Sequence, residues 1–331
     1  MTSTTAWPRR TRRRRLWPLL AALLLLVVGA VGGWWLTAGR PAGYPKGVDG
    51  FATGVPEGVY TQYGELLQGY LHTTMPGVEL RLDASQGSVD NLERVASGQD
   101  SFAIATADAV AEFPGPGKGK LRAIARLYDD YLQLVVPADS PVQSVADLKG
   151  KRVGVGEPKS GVNLVTRELL IAAGIDPDTG ITPAPLGVGD ASTQLADGRL
   201  DAFFWSGGLP TSALTSLAAK FPIRIVPLGD LTDKLHQASS DTDAWRTAVL
   251  PAGVYPKTQA VLTMAVPNLL ITRDDVDPGL VEGLTRAVID SRDPIGTQVH
   301  AAQLVDLRTA VYTDPLPLHD GAERYYRSVK P

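Results

Sequence analysis

Apolar residues recur at helical spacing between Tyr60 and His72, where Tyr63, Leu66, Leu67, Tyr70 and Leu71 predict a helix with one buried side. The stretch Val78–Leu82 alternates apolar and polar positions and reads as a strand. A longer pattern then occurs twice, one hundred residues apart: Val95-Ala-Ser-Gly-Gln-Asp-Ser-Phe-Ala-Ile104 and Leu195-Ala-Asp-Gly-Arg-Leu-Asp-Ala-Phe-Phe204. Each copy predicts the last turn of an apolar-faced helix, a glycine in the left-handed C-terminal position and a short buried strand. Two similar α/β units are implied.

The remaining elements fill in around these copies. After a Pro/Gly loop at 115–119, the runs 121–127 and 131–136 predict two strands. From Ser144 the order begins again, with a helical turn, a glycine stop at Gly150 and a strand to Gly156. The loop 157–161 then opens a helix over 162–173 that Gly174 ends. A helix after Pro210, a strand at 223–227 and helices near 278–291 and 322–329 complete the pattern, with no third copy. The chain is therefore expected to cross back, making lobe I from 41–137 plus 235–331 and lobe II from 138–234. Two crossing strands would form the hinge, and residues 37–49 a tether.

An open α/β sheet places its ligand crevice beyond the C-terminal ends of its strands. Thr106, Ala107 and Asp108 follow the first repeated strand, and Ser206, Gly207 and Gly208 end the second. One small molecule held between two lobes fits that arrangement. The best-defined candidate contact is Ser160-Gly161-Val162, at the start of a strong amphipathic helix, where unpaired amides and the helix dipole suit a carboxylate. An ordinary serine cap is the plain alternative. Ser85, Gly87 and Ser88 offer hydroxyls and a close-approach glycine at another helix start, with Asn91 one turn in. Tyr60 and Trp205 are candidate aromatic walls. Asp108 either reaches the ligand or caps the short helix that follows, whereas Asp201, on the far side of its strand, reads as structural.

The N-terminus is of another kind. Arg9, Arg10 and Arg12 to Arg15 precede an uncharged apolar stretch, Leu16 to Leu36. About 20 such residues at ~1.5 Å each span the ~30 Å hydrocarbon layer, and the cationic flank holds the N-terminus in the cytoplasm. Everything beyond about residue 40 is expected outside. Trp34 and Trp35 suit an interfacial anchor, so a retained single-pass helix is expected, with Thr37-Ala38-Gly39 as the alternative cleavage site.

Residues 1–40 hold seven Arg and no acid, leaving 25 basic against 35 acidic groups in the other 291 residues, a balance of −10. That acidic body argues against nucleic-acid binding, which needs clustered Lys and Arg. There is no cysteine, which excludes disulfides, a lipoprotein anchor and thiolate chemistry. His72, His236, His300 and His319 show no metal-ligand spacing. The loop 154–160 is not a phosphate-binding loop, because Pro158 stands where a glycine is required. No G-x-S-x-G elbow appears, and no nucleophile has a base beside it. Neither an enzyme activity, a metal nor a cofactor is expected.

A series of short motifs runs in order through nearly all of 48–328: Gly58-Val-Tyr60, Ser85-Gln-Gly-Ser-Val-Asp-Asn-Leu92, Ala96-Ser-Gly98, Asp147-Leu-Lys-Gly-Lys-Arg-Val-Gly154, Ser160-Gly161, Asp201-Ala-Phe203, Gly207-Gly-Leu-Pro210, Pro251-Ala-Gly-Val-Tyr255, Ala265-Val-Pro-Asn-Leu-Leu270 and Pro317-Leu-His-Asp-Gly-Ala322. The ordered set resembles the TAXI branch of TRAP-transporter solute receptors. The resemblance implies a type II periplasmic-binding-protein fold, two α/β lobes joined by a two-strand hinge, behind an N-terminal transmembrane or signal segment. It also implies capture of a small-molecule anion or amino acid, glutamate-like or an organic acid, for delivery to TRAP permease subunits in the membrane. The family's first loop usually reads Gly-Gly-Thr/Val-Tyr-Tyr. Here Glu57 replaces the first Gly and Thr61 the second Tyr, and Glu57 serves either as a contact for a ligand amine or as a cap for the helix entering at Tyr60. A sensor input to a membrane signalling partner and an enzyme on the same fold are the rival readings.

Overall fold

The structure, a computed structural model, describes residues 45–238 and 240–330, together with position 27. The expected N-terminal apolar helix and its arginine flank lie outside the described residues. Among the described residues, no helix is long and apolar enough to cross a membrane.

The first α/β run comprises β1 (Gly47–Ala52), α1 (Val59–Thr74), β2 (Val78–Asp83), α2 (Ser88–Ser97), β3 (Phe102–Thr106) and α3 (Ala107–Glu112). β1 pairs in parallel with both β2 and β3. All five residues of β3 are buried, as expected of a central strand covered on both faces, parallel to β1 on one side and antiparallel to the strand 261–273 on the other. Its alternation still sorts them: Phe102 and Ile104 join the core under α1, while Ala103 and Ala105 join the core on the opposite face. Residues 47–49, expected in the tether, belong instead to β1.

β4 (Leu121–Pro137) then runs for 17 residues without a break, where two strands were expected. The polar pair Asp129-Asp130 that suggested an interruption sits mid-strand, opposite Pro267 and Val266 of β10 (Val261–Arg273), and the pairing shifts register between Pro267 and Leu269. β4 first pairs with β10 and later with β7 (Ala202–Gly207) and β8 (Ile223–Val226). β10 in turn joins β9 (Arg246–Leu250) at its start and β3 towards its end. These two long strands connect the two α/β runs into one sheet ordered β2-β1-β3-β10-β4-β7-β5-β6.

The second run comprises β5 (Arg152–Gly154), α4 (Gly161–Ala172), β6 (Thr182–Ala184), α5 (Val188–Ala196), β7, α6 (Ser212–Lys220) and β8. The repeat is visible in its backbone. Gly98 ends α2 at φ 81° and Gly198 follows α5 at φ 70°, each leading into a buried strand. After α7 (Thr232–Ala238), β9 and β10, the helices α8 (Pro278–Asp290), α9 (Arg292–Gly296) and α10 (Asp320–Val329) follow. Of these, α8 and α10 pack into the same core as α1, through Leu280, Val281, Leu284, Ala322 and Tyr326.

Candidate functional site

The C-terminal ends of the parallel strands converge on a cleft with a cavity volume of about 50 Å³. Its wall takes Gly54, Val55 and Gly58 from the β1–α1 connection, Val59 and Tyr60 from α1, Gln86 to Ser88 from the start of α2, Thr106 from β3, Gly156, Glu157 and Ser160 to Val162 from the start of α4, and Trp205 to Gly207 from β7. Tyr60, Gly87, Ser88, Thr106, Ser160, Gly161, Val162, Trp205, Ser206 and Gly207, all expected from the sequence, are brought together there.

Ser160 is the N-cap of α4: its hydroxyl accepts from the Asn163 N–H at 3.0 Å and donates to the Glu157 carbonyl at 2.7 Å. The first two amides, of Gly161 and Val162, lie too early in the helix for intrahelical acceptors, and both residues line the cleft. The plain and the functional readings of Ser160 are thus compatible. The start of α2 is different. Its Val89 and Asp90 amides donate to the Lys159 carbonyl at 3.1 and 3.0 Å, so the loop before α4 already satisfies them. Lys159 also pairs with Glu93 of α2 at 2.6 Å. The two helix starts stand so close that a Cβ on Gly161 would meet Thr106 Oγ1 at 3.1 Å and Ser88 Oγ at 3.2 Å.

The floor of the cleft is polar. The Tyr60 hydroxyl donates to Asn268 Oδ1, lies 3.3 Å from Ser88 Oγ and 3.5 Å from Asp130 Oδ2. Asn268 sits where β10 shifts register against β4 and is itself fixed by donating to the Tyr128 carbonyl at 3.2 Å. Asp130 is 3% exposed, and its Oδ1 has no hydrogen-bond partner. Burial pushes its carboxyl up to about 7; Asn268 and Tyr60 pull the other way, while the like charges of Asp129 and Asp108 add to the rise. Leu132 pairs with Ser206 across β4 and β7, so Asp130, two residues earlier, shares the face of Ser206. The Ser206 hydroxyl is also buried without a partner.

Four expected contacts do not line the cleft. Asn91 is fully buried behind it, donating to the carbonyls of Thr53 and Ile104 at 3.0 and 2.7 Å, and Ser85 is held against Asn91 Oδ1 at 2.6 Å. Both brace the wall from behind. Asp108 is buried in α3 with Oδ2 accepting from the Trp245 indole at 2.9 Å, and burial raises its pKa against the hydrogen bonds of Thr106 and Trp245. Glu57 is exposed in the left-handed region at φ 59°, and Gly58, without a side-chain bond, is the N-cap of α1. Glu57 therefore caps no turn of α1. Its carboxylate reaches across to the start of α5, where a Cβ on Gly189 would meet Oε2 at 2.7 Å.

Sequence reasoning missed Asp130 and Trp245. Trp245 lies in an irregular stretch with no periodic signal, yet it lines the cleft while its indole holds Asp108. Trp205 donates to Thr211 Oγ1 at 2.9 Å and is a second indole lining the cleft. Among the described residues, no Lys or Arg lines the cleft, and its acids are Asp130 and Glu157. No cluster of three or more potential metal ligands occurs among the described residues.

Comparison with solved structures shows a shared fold at low identity. A Xanthomonas citri protein solved with ATP is 13% identical, covering 85% of this chain and 94% of its own, with a TM-score of 0.51. A putative L-cystine ABC transporter from Listeria monocytogenes is 16% identical, covering 78% and 98%, with a TM-score of 0.50. A Bordetella bronchiseptica protein is 18% identical, covering 86% and 90%, with a TM-score of 0.51. The α/β fold is that of type II periplasmic binding proteins, as the family resemblance implied. The family model for the NMT1-like family matches residues 51–329, from the second half of β1 to the end of α10, and the chain belongs to that family.

Proposed function

We propose that the protein is an extracytoplasmic solute receptor that holds a small carboxylate-bearing solute, either a glutamate-like amino acid or an organic acid. The observation that carries this reading is the pair of α4 amides, Gly161 and Val162, at a cleft on the C-terminal ends of the strands. A carboxylate there accepts two N–H groups at the positive end of a helix dipole. Tyr60, Ser88, Thr106 and Ser206 supply hydroxyls around it, and Trp205 and Val162 supply apolar wall. Lobe I is 41–137 plus 235–331 and lobe II is 138–234, with β4 and β10 as hinge strands that let the lobes part and close. The ordered motifs of the TAXI branch support delivery to a TRAP-type permease, with an N-terminal helix keeping the receptor at the outer face of the cytoplasmic membrane.

The reading is tested by thermal shift of the purified protein against amino acids and dicarboxylates, since a solute that binds only the folded state raises its melting temperature. Ser160→Leu blocks the start of α4 and is expected to abolish the shift while the circular dichroism spectrum stays native. Unchanged affinity in that variant defeats the assignment.

A further inference from the structure

We propose that Asp130, together with the hydroxyls of Ser206, Ser88 and Tyr60, receives a protonated amino group of the solute, so that the cleft selects amino acids over dicarboxylates and hydroxy acids. This deepens the receptor reading and rests on it for the position of the solute's carboxylate.

The argument is one of charge and of unmet bonding. Asp130 is a carboxylate in the cleft floor, 3% exposed, with one oxygen unpartnered. Buried polar atoms in folded proteins are almost always hydrogen-bonded, and an ionised group in such a place requires a counter-charge. The cleft offers none: no Lys or Arg lines it among the described residues. An ammonium supplies both the charge and three donors, enough for Asp130 Oδ1, the unpartnered Ser206 Oγ and one further hydroxyl. A second carboxylate in the same place would meet Asp130 at close range without a cation between them.

The spacing also suits a solute bearing both groups. From the start of α4, Gly161 packs against Ser88, whose hydroxyl is 3.3 Å from that of Tyr60, itself 3.5 Å from Asp130. Ser88, close against the start of α4, and Tyr60 therefore connect the carboxylate end of the cleft to the ammonium end. Glu57, the residue whose charge the sequence offered for this role, is exposed and turned to the start of α5.

The titratable and charged groups around Asp130 are Tyr60 on α1, Asp108 on α3, Tyr128 and Asp129 on β4, and Glu157 at the cleft wall, with Arg126 held by Asp129 at 2.7 Å. All but Arg126 are acids or phenols, so their field favours a cationic guest. Burial, with the like charges of Asp129 and Asp108, raises the Asp130 carboxyl to about 7 against the hydrogen bonds of Asn268 and Tyr60. Binding an ammonium requires that carboxyl ionised, so affinity for an amino acid should rise between pH 6 and 8 and then level.

The test is calorimetric titration of the full chain with three sets of probes: the common amino acids, their 2-hydroxy and desamino carboxylate counterparts, and simple alkylamines. Binding confined to amino acids, weakened about tenfold or more by Asp130→Asn and rising with pH in the wild type, is the expected result. Asparagine preserves shape and removes a buried charge, so this variant is expected to fold; the pH series on the wild type needs no variant. Equal or tighter binding of the desamino or hydroxy acids, or undiminished amino-acid affinity in Asp130→Asn, overturns the Asp130 assignment and leaves the carboxylate receptor standing. Binding of amines without carboxylates retains Asp130 and overturns the carboxylate half. Binding of none of the three sets overturns both.

Discussion

A carboxyl that holds its proton up to about 7 when folded, against 3.8 as an ordinary side chain, makes stability depend on pH with a definite sign. Between pH 4 and 7 the folded state retains a proton that the unfolded state has released, so stability falls as pH rises through that window and is level above it. The full cost is roughly 4 kcal/mol, at about 1.4 kcal/mol per unit. Asp130→Asn removes it. The difference in melting temperature, variant minus wild type, is therefore expected to grow from pH 4 to 7, and a difference constant across that range would place Asp130 in contact with solvent. Ser160→Ala, by contrast, removes a helix cap and is expected to cost about 1 kcal/mol in denaturant unfolding at any pH in that window. Ser160 was legible because a cap is a local pattern: a serine, a glycine, then an amphipathic run. Asp130 was not, because Tyr128-Asp129-Asp130 reads locally as the end of one strand and the start of another, and only the pairing partners far along the chain bury it.

The repeated helix–glycine–strand unit is the part of the architecture that local chemistry dictates. Gly198 stands at φ 70° with nothing within 4 Å of a built Cβ, so Gly198→Ala tests backbone strain alone and is expected to cost about 1 kcal/mol. Gly98→Ala, at φ 81°, carries the same strain and also meets the Arg273 guanidinium at 1.9 Å, so it should cost more. Equal losses in urea unfolding would mean that Arg273 yields freely from its pairing with Asp275. The repeat and most helices, including α1 and α4, were predicted to within a residue or two, because their apolar spacing is determined by neighbours three and four places away. β1, β9 and the extent of β4 and β10 were not. Long strands shared by two halves are buried by partners distant in sequence, and their apolar runs carry no period that marks where one pairing gives way to the next.

Across the full chain, the cleft depends on the stretch 138–234 standing within van der Waals distance of the first α/β run. Gly161→Ala probes that approach: its methyl would press on Ser88 and Thr106, and a several-fold loss of solute affinity with little change in the melting temperature of the free protein is expected. An equal loss of both would make Gly161 a folding residue only. The Lys159 carbonyl, holding the first amides of α2, has a consequence for time as well as for structure. If the proposed lobes part where these two helix starts meet, release of a solute requires that carbonyl to let go of Val89 and Asp90 and the half-exposed Lys159–Glu93 pair to open with it. Residence time and selectivity would then be set by different residues. Glu93→Gln, or added salt that screens the pair, should quicken solute release in stopped-flow traces while the ranking of solutes stays as it was, so that the receptor can be tuned to hand over its cargo faster without learning to accept a different one.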